Sequence, residues 1–257
     1  MASIVNFQDV GMAYHTLQGE IPALSNITFS IKEGEFVSIV GPSGCGKSTV
    51  LNLLAGLLLP EQGTITIQDV PIEQSQIPVG YMLQKDHLFE WRTVYQNVIL
   101  GLEIQKKKTP ENLARVESLL EKYGLADFKQ VKPSQLSGGM RQRAALIRTL
   151  ALNPQLLLLD EPFSALDYQT RLQVSDDIWK IIREENKTAL LVTHDISEAI
   201  SMSDRVLIFS KGPAIVQKEL PINISLETRN PMAVRNAPEF KTYFNQIWKE
   251  LNPHDNE

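Results

Sequence analysis

Apolar positions along this chain form two kinds of run. Short β-branched runs bounded by glycine, proline and polar clusters read as strands, and longer stretches with apolar residues three and four apart read as helices. The first kind predicts strands at Ile4–Val10, Ile27–Ile31 and Phe36–Val40, with a turn at Lys32-Glu33-Gly34-Glu35 before the last. Thr64–Gln68 alternates with period two, as a half-buried strand does, and Val79–Leu83 reads as another strand. Leu156–Leu159 and Ala189–Thr193 do not alternate. Uniformly apolar runs of that length belong to strands covered on both faces, as in a parallel sheet with helices packed against it. A hairpin is expected from Val206–Phe209 and Ala214–Gln217, turning at Ser210-Lys211-Gly212-Pro213.

Helical spacing fills the gaps. Val50, Leu51, Leu53, Leu54 and Leu57 mark a mostly apolar helix with Gly56 as its stop, and residues 85 to about 153 are predominantly helical. Within that stretch Thr109 caps a helix, Pro110 takes its first position and Gly124 ends it, with Leu113, Val116, Leu120 and Tyr123 on one face. Further helices are expected over Gln169–Glu184 and, in a tail beyond residue 220, over Phe240–Leu251. Strands alternating with helices predict an α/β domain with a parallel sheet, interrupted by a helical insertion.

Composition narrows the functions. The 257 residues are 43% hydrophobic and 21% charged, with a net charge of −5, which speaks against a broad nucleic-acid footprint. Cys45 is the sole cysteine, so no intrachain disulfide forms, in keeping with a reducing compartment. The N-terminus lacks the basic segment and apolar core of a signal peptide. The longest apolar runs fall far short of the ~20 residues that cross a bilayer. A role at a membrane therefore requires another chain to hold this one there.

The chemistry begins at Gly41-Pro42-Ser43-Gly44-Cys45-Gly46-Lys47-Ser48-Thr49. It matches G-x-x-x-x-G-K-[ST] and lies between a predicted strand and a predicted helix, the context a phosphate-binding loop requires. Its glycines allow backbone torsions and close approach that a Cβ would forbid. Successive N–H groups and the helix N-terminus then face an anion. Lys47 is expected at the β- and γ-phosphates and the Ser48 hydroxyl at Mg²⁺. Because Cys45 lies inside this loop, a bulky thiol reagent is expected to inhibit and MgATP to protect.

Five other features gain meaning beside that loop. Gln84 ends a strand, and ligands in open α/β sheets sit beyond the carboxyl ends of strands. Ser137-Gly138-Gly139 opens a helix and forms either a second anion site or a plain N-cap. Asp160 and Glu161 end a doubly buried strand, where one carboxylate can position Mg²⁺ and another can orient or deprotonate water. His194 is the one histidine at a strand end facing the same edge. Tyr14, in a polar loop after the first strand, either stacks on a base or packs.

These pieces, in this order, resemble the ATP-binding subunit of ABC transporters from residue 4 to about 220. Gly41–Ser48 is similar to the Walker A motif, Gln84 to the Q-loop, Leu136–Gln142 to the signature motif, Leu156–Glu161 to Walker B, Ser164–Asp167 to the D-loop, and His194 to the switch histidine. Tyr14 occupies the place of the adenine-stacking aromatic. The resemblance implies a P-loop NTPase core sheet with an N-terminal antiparallel β subdomain and a helical subdomain inserted at about 85–153. The ATP-binding domain would span 1–220 and a C-terminal tail 221–257.

It also implies a head-to-tail homodimer in which ATP lies between the glycine loop of one subunit and Ser137–Gly139 of the other. Lys47 would neutralise phosphate charge, Ser48, Gln84 and Asp160 would hold Mg²⁺, Glu161 would activate water, and His194 would touch the γ-phosphate. Asp86–Trp91 would touch the cytoplasmic helices of a permease, which places the chain on the cytoplasmic face of the membrane. A solute-binding protein is an indirect partner.

The wording of Val40–Thr49, Leu136–Arg143, Asp160–Asp167 and Trp91–Val94 is similar to the nitrate/sulfonate/taurine importer branch. Bicarbonate and pyrimidine precursors of thiamine are further substrates consistent with it. Met140, where glutamine is commoner in the family, is usual in this branch. Glu90 stands where proline is common, at the docking surface. Two rival readings fit this sequence less well. A soluble ABC ATPase of DNA repair would carry a long coiled coil between the two halves of the site, or two ATP-binding domains if it acted in translation. A P-loop kinase would need neither Ser137-Gly138-Gly139 nor His194.

Overall fold

The computed structural model describes residues 3–17 and 19–252. Strands β1 (Ser3–Thr16) and β2 (Gly19–Lys32) form a long antiparallel hairpin, and β3 (Phe36–Val40) opens a second sheet. Strands β4 (Gln62–Ile67) and β5 (Val70–Pro71) return to the hairpin, giving a four-stranded antiparallel sheet in the order β2-β1-β4-β5. Strands β6 (Val79–Met82), β7 (Leu156–Asp160), β8 (Thr188–Val192), β9 (Arg205–Phe209) and β10 (Val216–Pro221) complete the second sheet, ordered β10-β9-β3-β8-β7-β6. All its pairings are parallel except β10 with β9.

The apolar runs of β7 and β8 earn their uniformity. Leu157, Leu159, Ala189 and Leu191 face one core, and Leu156, Leu158, Leu190 and Val192 face another. The second core contains Val50, Leu51 and Leu54 of helix α1 (Lys47–Leu54) and Ile65 and Ile67 of the antiparallel sheet. The first is roofed by the inserted helices α2 (Val94–Val98), α3 (Leu100–Ile104), α4 (Pro110–Lys122) and α5 (Gly138–Leu150), together with α6 (Tyr168–Glu184). The Thr109 hydroxyl accepts from the Asn112 N–H at 3.3 Å to cap α4, which buries Val116, Leu119 and Leu120.

Two boundaries differ from the sequence reading. The hairpin of β1 and β2 continues to a tip near residue 17, pairing Tyr14 with Ile21 and Thr16 with Gly19. This outer half is exposed on both sides, so no alternation marks it; cross-strand pairing holds it, with the Tyr14 hydroxyl 2.9 Å from Thr49 and His15 Nε2 2.7 Å from Glu61. Tyr14 accordingly lies within β1, not in a loop after it. Ala214 does not belong to the last strand. It bridges β2 instead, with its N–H on the Ala23 carbonyl and its carbonyl accepting from Ser25, both at 2.9 Å.

Helix α7 (Ile196–Met202) follows β8, and beyond β10 come α8 (Pro231–Arg235) and α9 (Phe240–Leu251). The third core unites Val40, Ile200, Val206 and Ile208 with Val234 and Ile247. The segment after residue 220 is therefore seated on the parallel sheet through its own buried side chains. Among the described residues no helix is long and apolar enough to cross a membrane.

Candidate nucleotide site

Strand β3 delivers the chain into the glycine loop, and α1 begins at Lys47 with Gly46 as its N-cap at φ 111°. That torsion is in the region only glycine adopts freely. A Cβ at Gly46 would also stand 2.8 Å from the Ala23 carbonyl, so the loop lies directly against β2. No side chain caps α1; its first N–H groups are the donors an anion can use. The buried Lys47 ammonium donates to the carbonyls of Gly41 at 2.8 Å and Pro42 at 2.9 Å. An ammonium has three donors, so one remains to face a phosphate.

A cleft of about 320 Å³ lies over this loop. Ser43, Gly44, Gly46, Lys47, Ser48 and Thr49 form its floor, Glu161 closes one end, and Tyr14, Ile21, Pro22 and Ala23 of the hairpin form a wall. The Tyr14 hydroxyl is 2.9 Å from Thr49 Oγ1, and the side chain is 38% exposed. Ile21 to Ala23 escaped the sequence reading because their strand carries no pattern. A larger depression of about 450 Å³ between the end of α4 and α6 contains none of the expected site residues. Its charges are already matched, as in Lys122–Glu184 at 3.1 Å and Arg143–Asp177 at 2.6 Å.

At the strand ends Ser48 Oγ donates to Asp160 Oδ1 at 3.3 Å. The Tyr81 hydroxyl donates to Asp160 Oδ2 at 3.4 Å, a partner the sequence did not signal because Tyr81 reads as an ordinary strand residue. Burial raises the Asp160 carboxyl, the Ser48 hydrogen bond opposes that, and the neighbouring Glu161 charge adds to it. Glu161 sits at φ 44°, a left-handed turn at the end of β7, with its N–H on the Val192 carbonyl at 2.9 Å. The turn sends its carboxylate over the edge of the sheet. There Oε1 is 3.1 Å from His194 Nδ1, and Oε2 accepts from Gln84 Nε2 at 3.4 Å. Two residues widely separated in sequence thus converge on one carboxylate. Ser48 and Asp160 together offer hydroxyl and carboxylate oxygens, a donor set suited to a hard cation such as Mg²⁺. Gln84 turns its nitrogen to Glu161, and its oxygen is the atom this pose offers a cation.

One expectation is revised. Cys45 is 1% exposed, and burial pushes its thiol up against the opposing Lys47 charge. Alkylation of such a buried, protonated thiol is slow and reports loop opening rather than nucleotide occupancy. Ser137, Gly138 and Gly139 lie outside the cleft. The Ser137 hydroxyl caps α5 by accepting from the Met140 N–H at 3.3 Å, and Ser137 and Gly138 are exposed. Helix α5 instead grips the segment after Gln84. Arg141 donates to Asp86 at 2.9 and 3.0 Å and to Glu90 at 2.8 Å, while Arg148 donates to the carbonyls of Asp86 and His87, each at 2.7 Å. Glu90 thereby has a partner in this chain.

The ABC transporter family profile matches residues 24–164, more than half of the chain. The chain belongs to the ABC transporter family. Over 250 residues it is 46% identical to the ABC transporter ATP-binding protein YtlC of Bacillus subtilis, covering 97% of this chain and 96% of that one. It is 40% identical over 222 residues to the taurine import ATP-binding protein TauB of Yersinia pestis, covering 85% and 87%. It is 38% identical over 256 residues to the nitrate import ATP-binding protein NrtD of Synechocystis, covering 97% and 95%. Among solved structures it resembles the dimeric, post-hydrolysis ATP-binding cassette MJ0796 bound to ADP and Pi. The TM-score is 0.72 and the identity 34%, with 85% of this chain and 99% of that one covered. CbiO1 of Clostridium perfringens, part of the transporter complex CbiONQ, aligns with a TM-score of 0.77 and 25% identity over 99% and 96%. This ABC ATPase binds and hydrolyses ATP as a transporter subunit, and its fold is the ABC ATPase fold.

Behind His194 lies a buried carboxylate. Glu198 is 4% exposed, and burial, with the Asp195 charge, pushes it up to about 7 against the hydrogen bond from Thr193 and the charges of Arg171 and Arg235. Raised above the ordinary carboxylate value, it favours the folded state when protonated; that contribution is complete below about pH 4.5 and lost as pH rises through 7. The span corresponds to about 3 kcal/mol. Glu198→Gln, which stays neutral, is therefore expected to match the native protein in urea unfolding near pH 4 and to exceed it by up to that amount at pH 8. A constant difference across that range would remove Glu198 as the titrating group.

Proposed function

We propose that this chain is the ATP-hydrolysing subunit of an importer for a small solute, working as a head-to-tail homodimer on the cytoplasmic face of the membrane and held there by permease subunits. The observation that carries this reading is the split between the two anion sites. Lys47 and the loop amides line a cleft of one chain, whereas Ser137 and Gly138 stand exposed outside it. Half a phosphate cage cannot surround a γ-phosphate, so a second copy supplies the other half. Likeness to the taurine and nitrate import ATP-binding proteins supports import over export, and the substrate class is the same: a small oxyanion or related solute.

In this reading Tyr14 stacks on the base, Gly41–Gly46 and Thr49 wrap the phosphates, and Lys47 takes their charge. Ser48, Asp160 and Gln84 would hold Mg²⁺, which neutralises phosphate charge when bound. Glu161 accepts the proton of the attacking water, and His194 orients Glu161 and reaches the γ-phosphate. Catalysis is positioning and charge stabilisation, without a covalent intermediate. The segment Asp86–Trp91, gripped by Arg141 and Arg148, carries permease motion to α5 and hence to Ser137. The test is reconstitution of the whole transporter in vesicles with a solute-binding protein. ATP hydrolysis is expected to rise several-fold with solute-loaded binding protein as labelled solute accumulates inside. Hydrolysis indifferent to the binding protein, or solute export, would overturn the importer reading.

A further inference from the structure

His194 is 61% exposed at its side chain and meets Glu161 at its tip. So exposed a ring is aimed chiefly by its backbone, and the residues on both sides of it converge on one buried group. Thr193 is 1% exposed, and its hydroxyl donates to Glu198 Oε2 at 2.7 Å while accepting from the Asp195 N–H at 3.0 Å. Asp195 in turn caps α7, its Oδ1 accepting from the N–H groups of Ser197 at 2.7 Å and Glu198 at 3.2 Å. The peptide units before and after His194 are therefore tied to the first turn of α7 with Glu198 at the centre.

That centre has a second attachment. Arg171, on α6, lies with Nη1 3.6 Å from Asp195 Oδ2 and Nε 3.9 Å from Glu198 Oε1. Its Nη2 donates to the Leu166 carbonyl at 3.1 Å. Leu166 belongs to the Ser164–Asp167 loop, whose Ser164 hydroxyl donates to the Glu161 carbonyl at 3.0 Å. From the other side Arg235 of α8 faces the same carboxylates and donates to Ser175 at 3.3 Å. One guanidinium thus touches the loop that follows Glu161 and the loop that carries His194.

We infer that Arg171, Glu198 and Thr193 form a positioning relay that sets His194 against Glu161 and ties its aim to the Ser164–Asp167 loop. None of the three lines the nucleotide cleft, so they act through His194. This rests on the proposed role of His194 at the γ-phosphate. Loss of the relay should lower turnover without loosening ATP, because the groups that bind the phosphates lie elsewhere.

ATP hydrolysis by purified full-length protein tests it, with kcat and KM measured separately. Thr193→Val keeps the side chain's shape and removes the hydroxyl; kcat is expected to fall about tenfold with KM within about twofold, since small misplacements of reacting groups cost that much or more. Thr193→Ser retains the hydroxyl and should restore most of the rate. Arg171→Met should reproduce the fall, and the double variant should be no slower than the worse single one, because both break one relay. Near-native kcat in folded Thr193→Val, a change confined to KM, or losses that multiply in the double variant would overturn the relay. His194→Ala separates the two levels. If it remains active, the role of His194 itself fails; if it is inactive while Thr193→Val is not, only the relay fails.

Discussion

Glu161→Gln is expected to bind ATP with little change and to lose turnover by about 10²- to 10⁴-fold, the range typical of removing a positioned general base. The substitution is nearly isosteric. The left-handed turn at φ 44°, the 2.9 Å bond from the Glu161 N–H to Val192 and the bond from Ser164 are all made by backbone and survive it. One side-chain oxygen remains to accept from Gln84. What disappears is the base and its negative charge. Lys47, Ser48 and the loop amides are untouched, so the nucleotide stays bound and the ATP-closed dimer accumulates. Single-turnover hydrolysis and size-exclusion chromatography in MgATP measure the two halves of this outcome. Turnover within a few-fold of native would take Glu161 out of its role.

Gly138→Asp is expected to abolish hydrolysis by about 10²- to 10³-fold, the scale of removing a preorganised oxyanion donor, while leaving ATP binding to the single chain intact. The position tolerates a side chain locally. Gly138 is exposed, and a Cβ there would meet one atom within 4 Å, the Leu166 methyl at 3.0 Å, which can move. A carboxylate at the N-terminus of α5 would complement the helix dipole, so the fold is not threatened. In the proposed shared site it would, however, stand where the γ-phosphate of a second copy's nucleotide comes. Fluorescent nucleotide titration, the ATP-dependent dimer fraction and the hydrolysis rate should therefore separate: binding native, dimer and rate lost. Impaired binding by the isolated chain would show that Gly138 serves its own cleft and would remove the case for a shared site.

These outcomes turn on features of different legibility. The glycine loop, the carboxylates after Leu159 and the histidine after Val192 were readable in the sequence because each follows a run whose pattern is dictated by burial. A strand covered on both faces must be apolar throughout, and where it stops, the next polar side chains are delivered to the sheet edge. The same reasoning failed for the outer half of the β1–β2 hairpin. Those residues face solvent on both sides, so Tyr14, Ile21 and Pro22 bear no periodic mark although they wall the nucleotide cleft. Ala214 reads as part of the last strand but bridges β2 instead, because its alternation with Val216 is satisfied equally by that bridge.

By itself, then, the sequence determined the α/β alternation, the phosphate loop and the identity of the residues at the strand ends, since local spacing and burial decide these. The tertiary structure alone decided which of them meet. It brought Gln84 and His194 onto Glu161 and turned Arg141 and Arg148 onto the segment after Gln84. It placed Glu198 behind His194, buried Cys45 beyond easy reach of reagents and left Ser137 and Gly138 outside their own chain's cleft. Contacts between residues distant in the chain depend on strand order and helix packing, and neither is written in the spacing of any one segment.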